Sequence, residues 1–197
     1  MTKTLYLMRH GQTLFNKRHR IQGWCDAPLT DLGVYQAQVA GQYFKNAAIT
    51  FDAAYSSTSE RACDTLEIVT NGSLPYQRVK GLKEWNFGTF EGESEDLNPP
   101  LPYEDFFVTY GGESQDQVRD RMAATILQLM QETKGKSVLM VSHGGAMANF
   151  ARAWEDNWQL DNLGHMTNCG ILKFSFEDDQ FYLEEAVDHD FSGWEEK

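Results

Sequence analysis

Two stretches of this 197-residue chain put a histidine and a glycine directly behind an apolar run. Residues 4–8 lead into Arg9-His10-Gly11-Gln12-Thr13, and residues 138–141 lead into Ser142-His143-Gly144-Gly145. An imidazole is neutral near pH 7 and so offers a nucleophilic nitrogen. Arg9 adds a planar fork of donors that suits phosphate or carboxylate. A third stretch, Ser56-Ser57-Thr58-Ser59-Glu60-Arg61, brings a second guanidinium. Two histidines with Glu84 or Asp26 would also suit a metal, but two guanidiniums repel a divalent cation and attract a phosphoryl group. The spacing of histidines and carboxylates is not that of a metal-ligand set either. These residue types together point to a small anion, and no metal is expected.

They can meet only if strands and helices carry them to one edge. Residues 4–8, 51–56 and 137–142 read as strands, residues 75–79 as an edge strand, and residues 171–176 and 181–187 as two strands joined by the acidic turn Glu177-Asp178-Asp179. Helices are expected at 31–46 behind an N-cap at Thr30, at about 60–70, at 114–133 with Val118, Met122, Ile126, Leu129 and Met130 on one face, and at about 146–154. Residues 16–24 read as a loop, with Gly11 letting the backbone turn sharply before it. Strands alternating with helices imply an α/β fold with a parallel or mixed sheet covered on both faces. Neighbouring strand ends in such a sheet share one crevice. His10, His143 and Arg61 fall at that edge, where helix N-termini also favour anions.

The length suits one domain spanning 1–197, with a capping insertion at about 93–113. That segment is long for a connection and carries Tyr103, Phe106, Phe107 and Tyr110, with a short helix expected near 103–108. The apolar run before Arg9 is too short for a signal peptide or a membrane span. Cys25, Cys63 and Cys169 form neither a disulfide framework nor a metal set, which fits a reducing cytoplasm. A net charge of −12 argues against nucleic acid and against anionic membranes as partners. Yet the first 25 residues hold Lys3, Arg9, Lys17, Arg18 and Arg20 and no acid, a local basic segment in an acidic protein. An exposed edge strand is compatible with a homodimer.

Five segments, in order, resemble the histidine phosphatase superfamily, the phosphoglycerate mutase-like fold. Arg9-His10-Gly11-Gln12-Thr13 with Asn16 resembles the signature around the family's phosphorylated histidine, and Gly23, Leu29-Thr30 and Gly33 resemble the segment after that signature. Ser56-Ser57 to Arg61-Ala62, with Thr65, resembles the segment of the second phosphate-clamping arginine. Glu84 with Phe87-Gly88 and Glu91-Gly92 resembles the acid/base segment, and Gly112-Glu113-Ser114 and Ser142-His143-Gly144-Gly145 complete the order. The resemblance implies a three-layer α/β/α sandwich around a mixed, mostly parallel six-stranded sheet, no cofactor, no metal, and a small phosphorylated metabolite as partner. On it, His10 attacks phosphorus and becomes phosphohistidine, its other nitrogen holding a proton against an acceptor such as a backbone carbonyl. Glu84 protonates the leaving alkoxide and then takes a proton from water. Arg9, Asn16, Arg61, Gly144 and a protonated His143 hold the phosphoryl oxygens. Glu91 reads as a loop-bracing carboxylate, Cys25 as filler, and His19, His165 and His189 as surface or structural.

The family contains phosphatases and mutases. A mutase must hold a second anionic group, which calls for Arg or Lys in the capping segment. Between Lys83 and Arg119 there is none, against nine acids, and Glu84-Trp85-Asn86-Phe87-Gly88 departs from the mutase pattern Glu-Arg-His-Tyr-Gly. The reading is therefore a phosphatase of small phosphomonoesters. A cofactor-dependent phosphoglycerate mutase is the alternative, and a catalytically idle regulatory module on the same fold is the third; a chromogenic phosphomonoester assay separates the last from the others. Glu93, Glu95, Asp96, Glu104 and Asp105, if they face the cleft, disfavour a second phosphate on the substrate by about one to a few kcal/mol. The aromatics of the same segment suit a neutral or ring-shaped leaving group.

Overall fold

A computed structural model describes residues 2–164 and 166–195. The strands, in chain order, are β1 (Lys3–Arg9), β2 (Ala53–Ser57), β3 (Gln77–Val79), β4 (Ser137–Ser142), β5 (Ile171–Glu177) and β6 (Gln180–Val187). They form one sheet in the order β3-β2-β4-β1-β5-β6. The first four of that order run parallel, and β5 and β6 run antiparallel to their neighbours. The helices are α1 (Leu14–Lys17), α2 (Asp31–Asn46), α3 (Glu60–Val69), α4 (Gln115–Glu132) and α5 (Gly144–Arg152).

Side-chain alternation assigns the two faces. Leu5 and Leu7 of β1 and Val138 and Met140 of β4 join Val118, Met122, Ile126 and Phe150 in one core under α4 and α5. Tyr6 and Met8, with Leu139 and Val141, join Ala37, Ala40, Phe44, Ala62 and Leu66 in the other, under α2 and α3. The result is a three-layer sandwich, and the central strands are apolar throughout because both of their faces are covered. Each fully buried Leu or Met contributes about 1.5–3 kcal/mol. In the β5–β6 hairpin, Asp178 and Asp179 both adopt positive φ, 51° and 60°, as a two-residue turn of matching twist requires.

Three local expectations need correction. The expected loop starts inside a one-turn helix, α1, whose N-cap Thr13 forms a reciprocal capping box with Asn16; one turn is too short to leave a period in the sequence. The short helix of the 93–113 segment is a 3-10 helix at Phe106–Tyr110, later than expected. Helix α5 begins at Gly144 rather than at residue 146. Two glycines are poor helix formers, but the Glu84 carboxylate anchors the first turn from outside.

Candidate active site

Strands β1 and β4 lie side by side with Arg9 opposite Ser142, so the next residue of each is a histidine at the same sheet edge. The two rings stand 5.1 Å apart, edge to face. The backbone around His10 is held on all sides. Its N–H donates to Ser142 O at 3.1 Å, and its carbonyl accepts from Asn168 Nδ2 at 3.1 Å and from the Cys169 N–H at 3.3 Å. Gly11 is required by close approach rather than by a sharp turn: a Cβ there would stand 2.5 Å from Gly33 O.

His10 Nδ1 lies 2.8 Å from Gly11 O, and His10 Nε2 accepts from Arg61 Nε at 3.2 Å. A carbonyl accepts only and a guanidinium donates only, so the network assigns the proton to Nδ1 and the lone pair to Nε2. That is the tautomer a nucleophile at Nε2 needs. Arg61 is fully buried, and its remaining contacts are to Cys25 O at 2.9 Å, Asp26 Oδ1 at 2.9 Å and Gly23 O at 2.8 Å. Four of a guanidinium's five N–H groups are thereby engaged, leaving one for a ligand. In the sequence Asp26 stood out only as a carboxylate weighed for a metal set; its pairing with Arg61 comes from the 23–26 loop folding over the start of α3.

His143 is also fully buried, with Nε2 2.8 Å from Ser57 Oγ. Ser57 Oγ also accepts from the Ser59 N–H at 3.1 Å, and among the described residues its own hydrogen has His143 Nε2 as its acceptor; the assignment that satisfies that hydrogen puts the imidazole proton on Nδ1. His143 Nδ1 and Arg9 Nε are both buried and have no hydrogen-bond partner among the described residues. Unsatisfied buried donors are rare and call for an explanation; an anion between them supplies one. Arg9 is held by Nη1 donating to Met166 O at 2.5 Å.

Burial above all, then the charge of Arg61, holds both imidazoles well below their usual range. His143 is therefore neutral, not the protonated donor expected from the sequence, although neutral Nδ1–H still donates. The same shifts make stability depend on pH. The unfolded chain protonates its histidines below about pH 6.5 while the native ones stay neutral, so the unfolded state binds more protons. Stability is fully present above that pH and falls on acidification, by about 1.4 kcal/mol per pH unit per histidine, until the depressed native value is reached. Urea unfolding of wild type and His143→Gln between about pH 7 and pH 5 checks this. The variant should show a shallower loss, and parallel curves would mean that His143 is not buried in its neutral form.

Glu84 lines the same crevice as Arg9 and Gly144. One of its oxygens accepts from the Trp85 N–H at 2.8 Å and the Ala146 N–H at 2.7 Å, the other from the Gly145 N–H at 2.9 Å. It sits at the N-terminus of α5, where a carboxylate is favoured. A Cβ on Gly145 would stand 2.9 Å from Glu84 Oε1, so this glycine makes room for the carboxylate, whereas one on Gly144 would meet Arg9 Nε at an ordinary contact distance of 3.4 Å. Behind Glu84, Arg121 of α4 donates to Gly81 O, Lys83 O and Glu84 O at 2.8–3.1 Å and grips Glu113 with two 2.8 Å bonds. Sequence reading missed this clamp; its only signal was Gly112-Glu113-Ser114, a pattern without a role.

Glu91 accepts from the backbone N–H groups of Gly23, Trp24, Cys25 and Phe87 at 2.7–3.1 Å. It is the brace expected of it. Burial, then Glu91, pushes the Cys25 thiol up to about 12, which keeps it protonated and unreactive. His19 is exposed and pairs with Glu95 at 3.4 Å, His189 packs on Tyr43, and His165 lies outside the described residues. Among the described residues no three His, Cys, Asp or Glu stand together as a metal set, and no helix is long and apolar enough to cross a membrane.

The crevice opens into a cleft of about 820 Å³ lined by Arg9, Asn16, Glu84 and Gly144 at its inner end. Asn16 uses its carbonyl oxygen in the α1 capping box, which leaves the amide N–H₂ for the cleft. Of the five capping-segment acids only Glu95 lines this space, and of the four aromatics only Tyr103. Glu104 and Asp105 are exposed elsewhere, and Phe107 is buried among Trp85, Phe87 and Phe90. Exposed acids outside the cleft cannot act as the selectivity filter drawn from the sequence.

The family model described as histidine phosphatase superfamily (branch 1) matches residues 5–189. A metal-independent phosphoserine phosphatase of Arabidopsis thaliana is 28% identical, with 89% of this chain and 88% of that one covered. A 2,3-bisphosphoglycerate-dependent phosphoglycerate mutase of Brucella anthropi is 32% identical over 87% of this chain and 90% of its own. The crystal structure of a phosphoglycerate mutase from Bacillus anthracis superposes with a TM-score of 0.81 at 29% identity, covering 93% and 92% of the two chains. Phosphatases and mutases of small phosphorylated metabolites thus share this architecture, and the chain belongs to the histidine phosphatase superfamily.

Proposed function

We propose that this protein is a phosphatase that hydrolyses small phosphomonoesters through a phosphohistidine on His10. The observation that carries the reading is the pairing of a lone pair with unsatisfied donors. His10 Nε2 is free of a proton, and Arg9 Nε and His143 Nδ1 are buried without partners among the described residues. A phosphoryl group satisfies all three at once, its oxygens accepting from Arg9, His143, Asn16 and the remaining Arg61 N–H. Glu84 holds the N–H groups of Gly145 and Ala146, which leaves the Gly144 N–H at the start of α5 to donate to a phosphoryl oxygen.

In the first half the His10 Nε2 pair forms the N–P bond as the ester P–O bond breaks, and Glu84 gives the leaving oxygen its proton. Arg61 Nε, which caps the nucleophile before substrate binds, turns its hydrogen bond to a phosphoryl oxygen as the lone pair becomes engaged. In the second half Glu84 takes a proton from water, the water oxygen bonds to phosphorus, and the N–P pair returns to Nε2. The proton on Nδ1 stays there throughout, donated to Gly11 O. Apart from that turn of Arg61 Nε, charge on the equatorial oxygens is met by donors already in place. The full chain acts as one domain in this reading, with the 93–113 segment capping the cleft.

The mutase reading draws on the relatives that carry that name. Against it stands the absence of any basic residue between Lys83 and Arg119. Quenching the enzyme during turnover of radiolabelled p-nitrophenyl phosphate should trap an acid-labile, alkali-stable phosphoryl group on His10. Exhaustive chelation should leave the rate unchanged, because guanidiniums do the work of a cation here. An acid-stable label, or a rate restored by added Mg²⁺, overturns the mechanism. Phosphoryl transfer from a bisphosphate to 3-phosphoglycerate faster than to water decides for the mutase.

A further inference from the structure

The cleft is much longer than the reaction needs. Its inner end holds the phosphoryl site, and one face of α5 forms a continuous wall outward from it through Gly144, Ala148 and Arg152. Residues four apart lie on one helix face, and eight residues of helix rise about 12 Å. Between the two ends the walls are Trp85, Phe87, Tyr103, Trp158 and Leu163. The volume, about 820 Å³, lies in the upper part of the roughly 300–1,000 Å³ range of pockets that enclose drug-sized ligands. A three-carbon phosphate is too short to reach from His10 to the outer end.

Arg152 is exposed at that outer end and makes no hydrogen bond or ion pair with a described residue. Glu95, the acid that the capping segment presents to the cleft, already faces His19 at 3.4 Å. The cleft therefore ends in a planar cation that no described residue engages, Asp161 of the same lining included. A carboxylate is its natural bidentate partner.

We propose that the outer half of the cleft is a second binding site, in which Arg152 reads a carboxylate at the far end of an extended phosphomonoester with an aromatic or ring-shaped middle. This deepens the phosphatase reading and rests on it. Arg152 is a specificity residue, remote from the reacting atoms, and Tyr103 and Trp158 flank the body of the substrate.

Three probes on the full-length protein test this: phenyl phosphate, its para-propanoate derivative and the matching para-propanamide. The acid is expected to show a KM about tenfold below that of the amide, with kcat for the two within about twofold, as one charge-assisted contact provides. Arg152→Gln should abolish the advantage and leave phenyl phosphate unchanged, while Arg152→Lys should keep part of it. Equal KM for acid and amide in the wild type overturns the subsite alone. So does an Arg152→Gln variant that weakens all three substrates alike, which would mark Arg152 as a helix-end charge with a structural role. No turnover of any probe is failure of the phosphatase reading, and the subsite falls with it.

Discussion

Replacing His10 by alanine is expected to lower kcat by about 10⁴- to 10⁶-fold, the range seen when a covalent nucleophile is removed. Among the described residues no other group can take its place. Cys25 stays a thiol, and His143 presents a proton rather than a lone pair to the phosphoryl site. What survives is water attacking a phosphate held by Arg9 and Arg61, so residual activity above background is expected rather than zero. Phosphoryl labelling should vanish altogether. The fold should persist, because the backbone contacts of His10 with Ser142, Asn168 and Cys169 involve no part of its ring. Thermal unfolding measures the second point and quenched labelling the first. A variant that folds, loses turnover and still accepts label would place the nucleophile elsewhere.

Glu84→Gln separates chemistry from architecture, because Glu84 does two things at once. Its oxygens hold the first turn of α5, and one of them faces the cleft. Glutamine offers one oxygen and an N–H₂, and the N–H₂ meets a backbone donor, so part of the anchor is lost for any substrate. General acid help is lost only where the leaving group needs a proton. An alkyl phosphate should lose about 10²- to 10⁴-fold in kcat/KM. p-Nitrophenyl phosphate, whose leaving group departs as the anion, should lose about tenfold or less. The ratio between the two substrates cancels the architectural loss. A ratio near unity would mean that Glu84 is an anchor for α5 or serves only the hydrolysis of phosphohistidine.

The strands and most helices were legible because their burial is periodic. β1 and β4 are apolar runs that end in the site, and α2 starts and stops within a residue of its cap signals. Proximity of His10, His143 and Arg61 came from topology, since strand tips in a twisted sheet converge. What stayed hidden were contacts between segments far apart in sequence and irregular in backbone. Asp26 with Arg61, Arg121 with Glu113, and Ser57 with His143 are 35, 8 and 86 residues apart, and only the middle pair could be sought along one local stretch. Arg152 was invisible for a different reason. On the sequence it is an ordinary basic residue in the last turn of a helix, where a cation is expected in any case. The acidic cap misled because charge count carries no direction: a loop side chain has no period from which its facing can be read.

The Glu91 brace has a consequence for how such an enzyme diversifies. One carboxylate ties the 23–25 loop, which carries two of Arg61's carbonyl partners, to the turn at Phe87 just beyond Glu84. Everything assigned to bond making and breaking lies on the strand-tip side of that knot. Residues 95–103, which supply the facing wall of the cleft, lie beyond it and donate nothing to the knot. Lineages can thus exchange the wall while the reaction centre is inherited whole. A library confined to 95–103 would sample new substrates at little risk to turnover, whereas one that included Glu91 would sample broken enzymes.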